Sequence, residues 1–233
     1  MKIRSTNRIY ISQELSENKN LILDGDILHY IRNVLRLKSG DKLRVFNENS
    51  GEFLANISDI NKKELHLQVE NLLKKPYASH RLVVALCIIK NDKMADMISM
   101  LVQLGVTKIV PIISEYVVHR NFNRERFLRI AEEASEQCER LDVPSISEPI
   151  LLQDFVKNCK SKIIYAYENS NMEQQLKNQD AVYMIGPEGG FSTKDVAILE
   201  KVGATPVSLG KNILRAETAA ARLISNVQFL RGL

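Results

Sequence analysis

From residue 81 onward one pattern repeats along the chain: a short apolar run, then a longer stretch whose apolar residues recur at helical spacing. The runs are 81–88 (RLVVALCI), 108–113 (KIVPII), 162–167 (KIIYAY), 181–185 (AVYMI) and 205–209 (TPVSL), and the amphipathic stretches cover residues 92–104, 124–140, 193–202 and 216–230. Unbroken apolar runs suit strands covered on both faces, and strands joined through helices lie parallel, so this part is predicted to be an α/β domain.

The first third reads differently. Residues 7–12, 42–46, 52–57 and 64–69 alternate apolar and polar side chains and are separated by N-E-N-S-G and D-I-N-K-K turns, which predicts a small β-rich unit. One helix is expected over 25–37, with Ile27, Ile31, Val34 and Leu35 on its buried face. The polar junction Lys74-Lys75-Pro76 separates the two patterns and gives expected domains 1–73 and 74–233.

Composition excludes several classes. With 45% hydrophobic and 26% charged residues and no biased tract, the chain is expected to be ordered throughout. No run of about 18 apolar residues occurs and the N-terminus has no apolar signal core, so no membrane association and a cytoplasmic location are expected. Cys87, Cys138 and Cys159 are odd in number and widely spaced, which predicts buried free thiols. The four histidines never fall at i, i+4, and no metal is expected. The net charge of +4 hints at an anionic partner, and the excess sits early: 13 Lys+Arg against 10 Asp+Glu in residues 1–75, 19 against 18 in the rest.

Ile185-Gly186-Pro187-Glu188-Gly189-Gly190-Phe191-Ser192 falls where an apolar run ends and a helix begins, with Ser192 as the expected N-cap. Ligands of open α/β sheets bind at that edge, and glycines there let a ligand approach the backbone. The same residues would also make a plain turn. The spacing fits neither a dinucleotide G-x-G-x-x-G loop nor a Walker loop, which argues against an NTPase. A second segment, Leu209-Gly210-Lys211-Asn212-Ile213-Leu214-Arg215-Ala216-Glu217-Thr218-Ala219, repeats the strand, glycine loop and helix arrangement. Two such loops could form one pocket, although Glu217 or Thr218 would equally serve as ordinary helix-start residues.

IGPEGGFS together with LGKNILRAETAA resembles the signature of the RsmE family of 16S ribosomal RNA uridine-N3 methyltransferases, in the knotted SPOUT superfamily. HYIRNVLRLKSGDKLRVF, KNDKMADMISMLVQLGVTKIVPIISEYV and EEASEQCERLDVPSI resemble the same family in order and spacing, with Gln103 where many relatives carry Glu. The resemblance implies an N-terminal PUA-like β-barrel, a C-terminal α/β trefoil-knot domain, S-adenosylmethionine as cofactor and a homodimer. It implies cofactor contacts at Gly186, Glu188, Gly190, Leu209, Gly210 and Leu214. In the chemistry it implies, Glu217 takes the uridine imide proton, Arg215 stabilises charge on the uracil oxygens, and Arg8 assists.

For the RNA, the resemblance favours a track of Arg4, Arg8, His29, Arg32, Arg36 and Lys38, where charge spacing alone is equally an ordinary solvated face. Glu136 and Arg140 are spaced for a helix-surface ion pair. Ala219, Leu223, Val227 and Leu230 could face a partner subunit or the core. The expected partner is 16S ribosomal RNA within the small subunit. A related methyltransferase acting on transfer RNA or a ribose 2′-hydroxyl, and a non-catalytic RNA-binding assembly factor, are the alternatives.

Overall fold

The computed structural model describes residues 6–118, 121–168, 170, 176 and 179–232. They form two compact units: Met1–Ala78 with Ser135–Val143, and Ser79–Ala134 with Pro144–Leu233. No helix among the described residues is long and apolar enough to cross a membrane.

The first unit holds a five-stranded sheet of β1 (Arg8–Tyr10), β2 (Asn20–Leu23), β3 (Lys42–Asn47), β4 (Gly51–Ile60) and β5 (Leu65–Lys74), in the order β1-β3-β4-β5-β2. Only β1 and β3 pair in parallel. Three register irregularities between β4 and β5 curl the sheet around a core that includes Ile9, Leu43, Val45, Ile57 and Leu67. Strand β2 escaped the sequence reading: it has only four residues, although Leu21 and Leu23 alternate inward with Ile22 left 57% exposed.

The helix expected over 25–37 is a single α-turn, α1 (Gly25–His29), followed by a π-helical turn, Tyr30–Val34. The wider turn changes the phase of the side chains. Leu28 and Ile31 are buried, whereas Val34, expected on the apolar face, is 58% exposed. Arg36 then takes a left-handed φ of 56°, which stops the helix short of residue 37.

The second unit is a seven-stranded parallel sheet in the order β12-β10-β11-β6-β7-β8, with β9 also beside β7. Its strands are β6 (Val83–Cys87), β7 (Lys108–Ile113), β8 (Ser145–Ile146), β9 (Ile150–Leu151), β10 (Lys162–Ala166), β11 (Ala181–Ile185) and β12 (Thr205–Val207). Every residue of β6 and β11 is buried, which is why these strands read as unbroken apolar runs. The helices are α2 (Asn91–Gln103), α3 (Arg124–Gln137), α4 (Leu152–Asn158), α5 (Thr193–Lys201) and α6 (Ala216–Arg231).

The short β8, β9 and α4 have no legible period in sequence, being packed into 14 residues around Pro149. Helix α3 was expected to reach residue 140 but ends at Gln137, and Glu139 follows with a left-handed φ of 61°. Arg140 therefore lies beyond the helix that carries Glu136. Glu136 accepts the Tyr10 amide at 3.0 Å, and Arg140 pairs with Asp142 at 2.6 Å.

Of the α6 residues left between core and interface, Leu223 and Val227 are buried in the second unit's own core, and Leu230 is 39% exposed. All three cysteines are free thiols, Cys87 buried and Cys138 and Cys159 only half-buried.

Candidate active site

Because the sheet of the second unit is parallel, the ends of β6, β7, β10, β11 and β12 open at one edge. A cleft lies there. Its wall is built from Ala166–Glu168 at the end of β10, Ile185 and the loop after β11, the loop after β12, and Ala216 and Ala219 of α6.

The loop after β11 is held by its own residues. Gly190 N–H closes a turn onto the Pro187 carbonyl at 2.9 Å, with a φ of 72° that favours glycine. Ser192 caps α5 as expected: its Oγ accepts from Asp195 N–H at 3.0 Å, while the Asp195 carboxylate accepts from Ser192 N–H at 3.1 Å. Phe191 folds back over Gly186 and meets Tyr165 edge-on at 5.7 Å. A β-carbon at Gly186 would stand 3.1 Å from the Phe191 ring, so a side chain there would displace it.

In the second loop Ser208 Oγ accepts from Gly210 N–H and donates to Gly210 O, both at 3.3 Å. Gly210 takes a φ of 124°, and a β-carbon there would stand 3.3 Å from the Arg222 guanidinium. Gly186, Glu188, Gly190, Leu209, Gly210 and Leu214, singled out in the sequence, all line this one cleft. Tyr167 and Glu168 line it too and were not anticipated, since only the tertiary fold brings the end of β10 to the same edge; Asn212, in the second loop, joins them.

The profile of the RNA methyltransferase domain matches residues 76–228, and that of the RNA methyltransferase PUA domain matches residues 23–70. The ribosomal RNA small subunit methyltransferase E of Rickettsia conorii is 43% identical, with 96% of each chain covered. The chain belongs to this family of RNA methyltransferases. Solved relatives agree. A putative methyltransferase from Legionella pneumophila in complex with bound S-adenosylmethionine has a TM-score of 0.85 at 30% identity, covering 96% of this chain and 97% of that one. The ribosomal RNA small subunit methyltransferase E of Neisseria gonorrhoeae, also bound to S-adenosylmethionine, has a TM-score of 0.83 at 26% identity, covering 97% and 98%.

In this methyltransferase the two residues expected to do chemistry stand beside the cleft rather than in its wall. Arg215 is the exposed N-cap of α6, between the lining residues Leu214 and Ala216. Glu217, in the first turn of α6, keeps 15% of its side chain exposed, with Oε1 4.0 Å from Lys93 Nζ of α2. Glu188 Oε1 accepts Lys90 N–H at 3.2 Å, which links the β11 loop to the start of α2.

In the first unit, His29, Arg32, Arg36 and Lys38 are all exposed, and Arg4 lies outside the described residues. Arg8 departs from its expected roles in catalysis and RNA contact: it is 5% exposed, and its guanidinium is fully engaged inside the unit. Its Nε donates to Glu52 at 3.2 Å, Nη1 to Ser135 O at 2.8 Å and Nη2 to Arg140 O at 2.6 Å. Its face stacks 3.4 Å above the Phe46 ring. Sequence position next to other cations could not distinguish this buried anchor from a surface contact.

Proposed function

We propose that the chain transfers a methyl group from S-adenosylmethionine to N3 of a uridine in 16S ribosomal RNA. The observation that carries this reading is the convergence of six anticipated residues on one cleft, with Arg215 and Glu217 at its rim.

The cleft suits such a cofactor. No Lys or Arg occurs among the described residues of its wall, although Arg215 stands at the rim and Arg222 behind Gly210, and Glu168 and Glu188 in the wall itself supply negative charge that suits a sulfonium cation. Gly186, Gly190 and Gly210 let backbone approach the ligand, and Leu209, Leu214 and Phe191 offer apolar surface. Bound there, S-adenosylmethionine supplies an electrophilic methyl group.

The chain's own residues do the rest. Glu217 accepts the imide proton from N3, and Arg215 stabilises the negative charge that this leaves on the uracil oxygens. The cleft holds the nitrogen in line with the methyl, which supplies much of the rate. His29, Arg32, Arg36 and Lys38 bind RNA phosphates from the PUA-like domain, 1–73, while 74–233 carries the cleft and the knotted loops.

The working form is a cytoplasmic homodimer acting on the assembled small subunit. Exposed apolar residues on and beside α6, Phe229 at 82% and Ile213 at 87%, support a second copy as their cover.

The test is transfer of labelled methyl to small subunits from a strain lacking the enzyme, followed by nucleoside analysis. 3-Methyluridine is expected. A 2′-O-methylated product, or transfer to transfer RNA alone, would replace this substrate assignment. Glu217→Gln and Arg215→Ala should each lower kcat by ~100-fold or more with the fold intact, and unchanged turnover would remove their roles.

A further inference from the structure

The loop after β7 carries an aromatic ring for which the chemistry above has no use. Val117 is buried in the core, and its amide donates to the Ser114 carbonyl at 3.3 Å, closing a turn. Glu115 N–H donates to the Asp195 carboxylate at 3.3 Å, the same carboxylate that holds Ser192 at the end of the GPEGGFS loop. One buried acid thus ties the two loops together.

Between these anchors Tyr116 turns outward and stays 51% exposed. Its side chain lies along Gly189: a β-carbon on Gly189 would stand 3.5 Å from Tyr116 Cβ and 3.7 Å from Cδ2. The neighbours of Gly189 on either side, Glu188 and Gly190, line the cleft. The ring is therefore an exposed aromatic surface against the GPEGGFS loop, at a glycine one residue along the chain from two residues of the cleft wall, on a turn fixed at both ends.

We propose that Tyr116 is the stacking platform for the uracil ring turned out of the RNA, a proposal that rests on the reading of the chain as a ribosomal RNA uridine methyltransferase. A base cannot present N3 to a cleft while paired in a helix, and an extruded base is held by stacking on aromatic faces. Stacking does not read sequence, so Tyr116 contributes affinity and orientation, and the cleft reads the edge of the base.

The experiment uses the full chain with small subunits from a strain lacking the enzyme, the substrate of the assigned reaction. Tyr116→Ala should raise KM for the RNA by roughly tenfold or more, the worth of one base stack, while S-adenosylmethionine affinity stays within about twofold. Tyr116→Phe should restore KM, because it keeps the ring. The chain contains no tryptophan, so Tyr116→Trp gives a single indole that can be excited selectively over the remaining tyrosines, and its fluorescence should be quenched by the RNA. A Tyr116→Ala enzyme with unchanged KM, or Tyr116→Trp emission indifferent to an RNA that the variant methylates, overturns the proposal and leaves the assigned reaction standing. Wild-type protein that binds S-adenosylmethionine but methylates no RNA overturns both.

Discussion

The two units bury polar chemistry in opposite ways. In the first unit Arg8 and Arg44 both reach Glu52, at 3.2 and 3.0 Å, and Arg44 also reaches Glu139 at 3.0 Å. Charge is kept inside because each group is paired and hydrogen-bonded. Burial draws the Arg8 pKa down from its ordinary value, and Glu52 pulls it back up. In the second unit the cleft is walled mostly by glycine and apolar residues, and its two carboxylates, Glu168 and Glu188, face it without a cation among the described residues of the wall. Charged residues prominent in a sequence can thus be structural, while quiet glycines line the cleft.

The largest effect should come from breaking the first arrangement. Arg8→Met leaves Glu52 short of one partner and removes the guanidinium hydrogen bonds to the Ser135 and Arg140 carbonyls. Removing one member of a buried ion pair costs about 3–5 kcal/mol. Denaturant unfolding should show that loss, with S-adenosylmethionine affinity of the still-folded protein within about twofold. Intact stability with lost RNA methylation would instead return Arg8 to the RNA contact suggested by its sequence.

The second arrangement breaks through shape. In Gly186→Ala the added methyl meets Phe191 at 3.1 Å. Overpacking of this kind costs about 1–3 kcal/mol, which lowers cofactor affinity by roughly five- to 150-fold if Phe191 yields into the cleft. Calorimetric titration with S-adenosylmethionine measures it. Unchanged affinity would mean that Phe191 relaxes elsewhere and that residue 186 is not a cofactor contact.

These contrasts explain how much was legible in the sequence. The parallel sheet was readable because strands buried on both faces leave long apolar runs, as in 181–185 and 108–113. The cleft was readable because its glycines sit at strand ends. The phase of residues 30–34 was not, since a π-turn leaves no mark in an apolar period, and Val34 consequently faces solvent. Nor was the fate of Arg8, because its partners Ser135 and Arg140 lie 127 and 132 residues away. Local pattern reports faces and ends, whereas distant pairing decides which cations remain free.

The smallest effect concerns a thiol buried in the second unit without a charged partner. Cys87 ends β6, donates to Ser114 Oγ at 3.4 Å under the Tyr116 turn, and burial pushes its thiol from the ordinary 9.0 up to about 12. The unfolded chain releases this proton near pH 9, while the folded chain holds it to about 12. Between those values the folded state binds more protons, so stability is full below pH 9 and falls as pH rises. The loss attributable to this thiol reaches roughly 1.4 kcal/mol by pH 10. Tyr165 and Tyr183, also raised by burial, add a background of the same sign, so the measurement is the difference in unfolding free energy between wild type and Cys87→Ser from pH 8 to 10.5. The variant should lose stability less steeply. Parallel curves would mean that the thiol ionises in place, and that the core behind the cleft admits charge as readily as the paired network of the first unit.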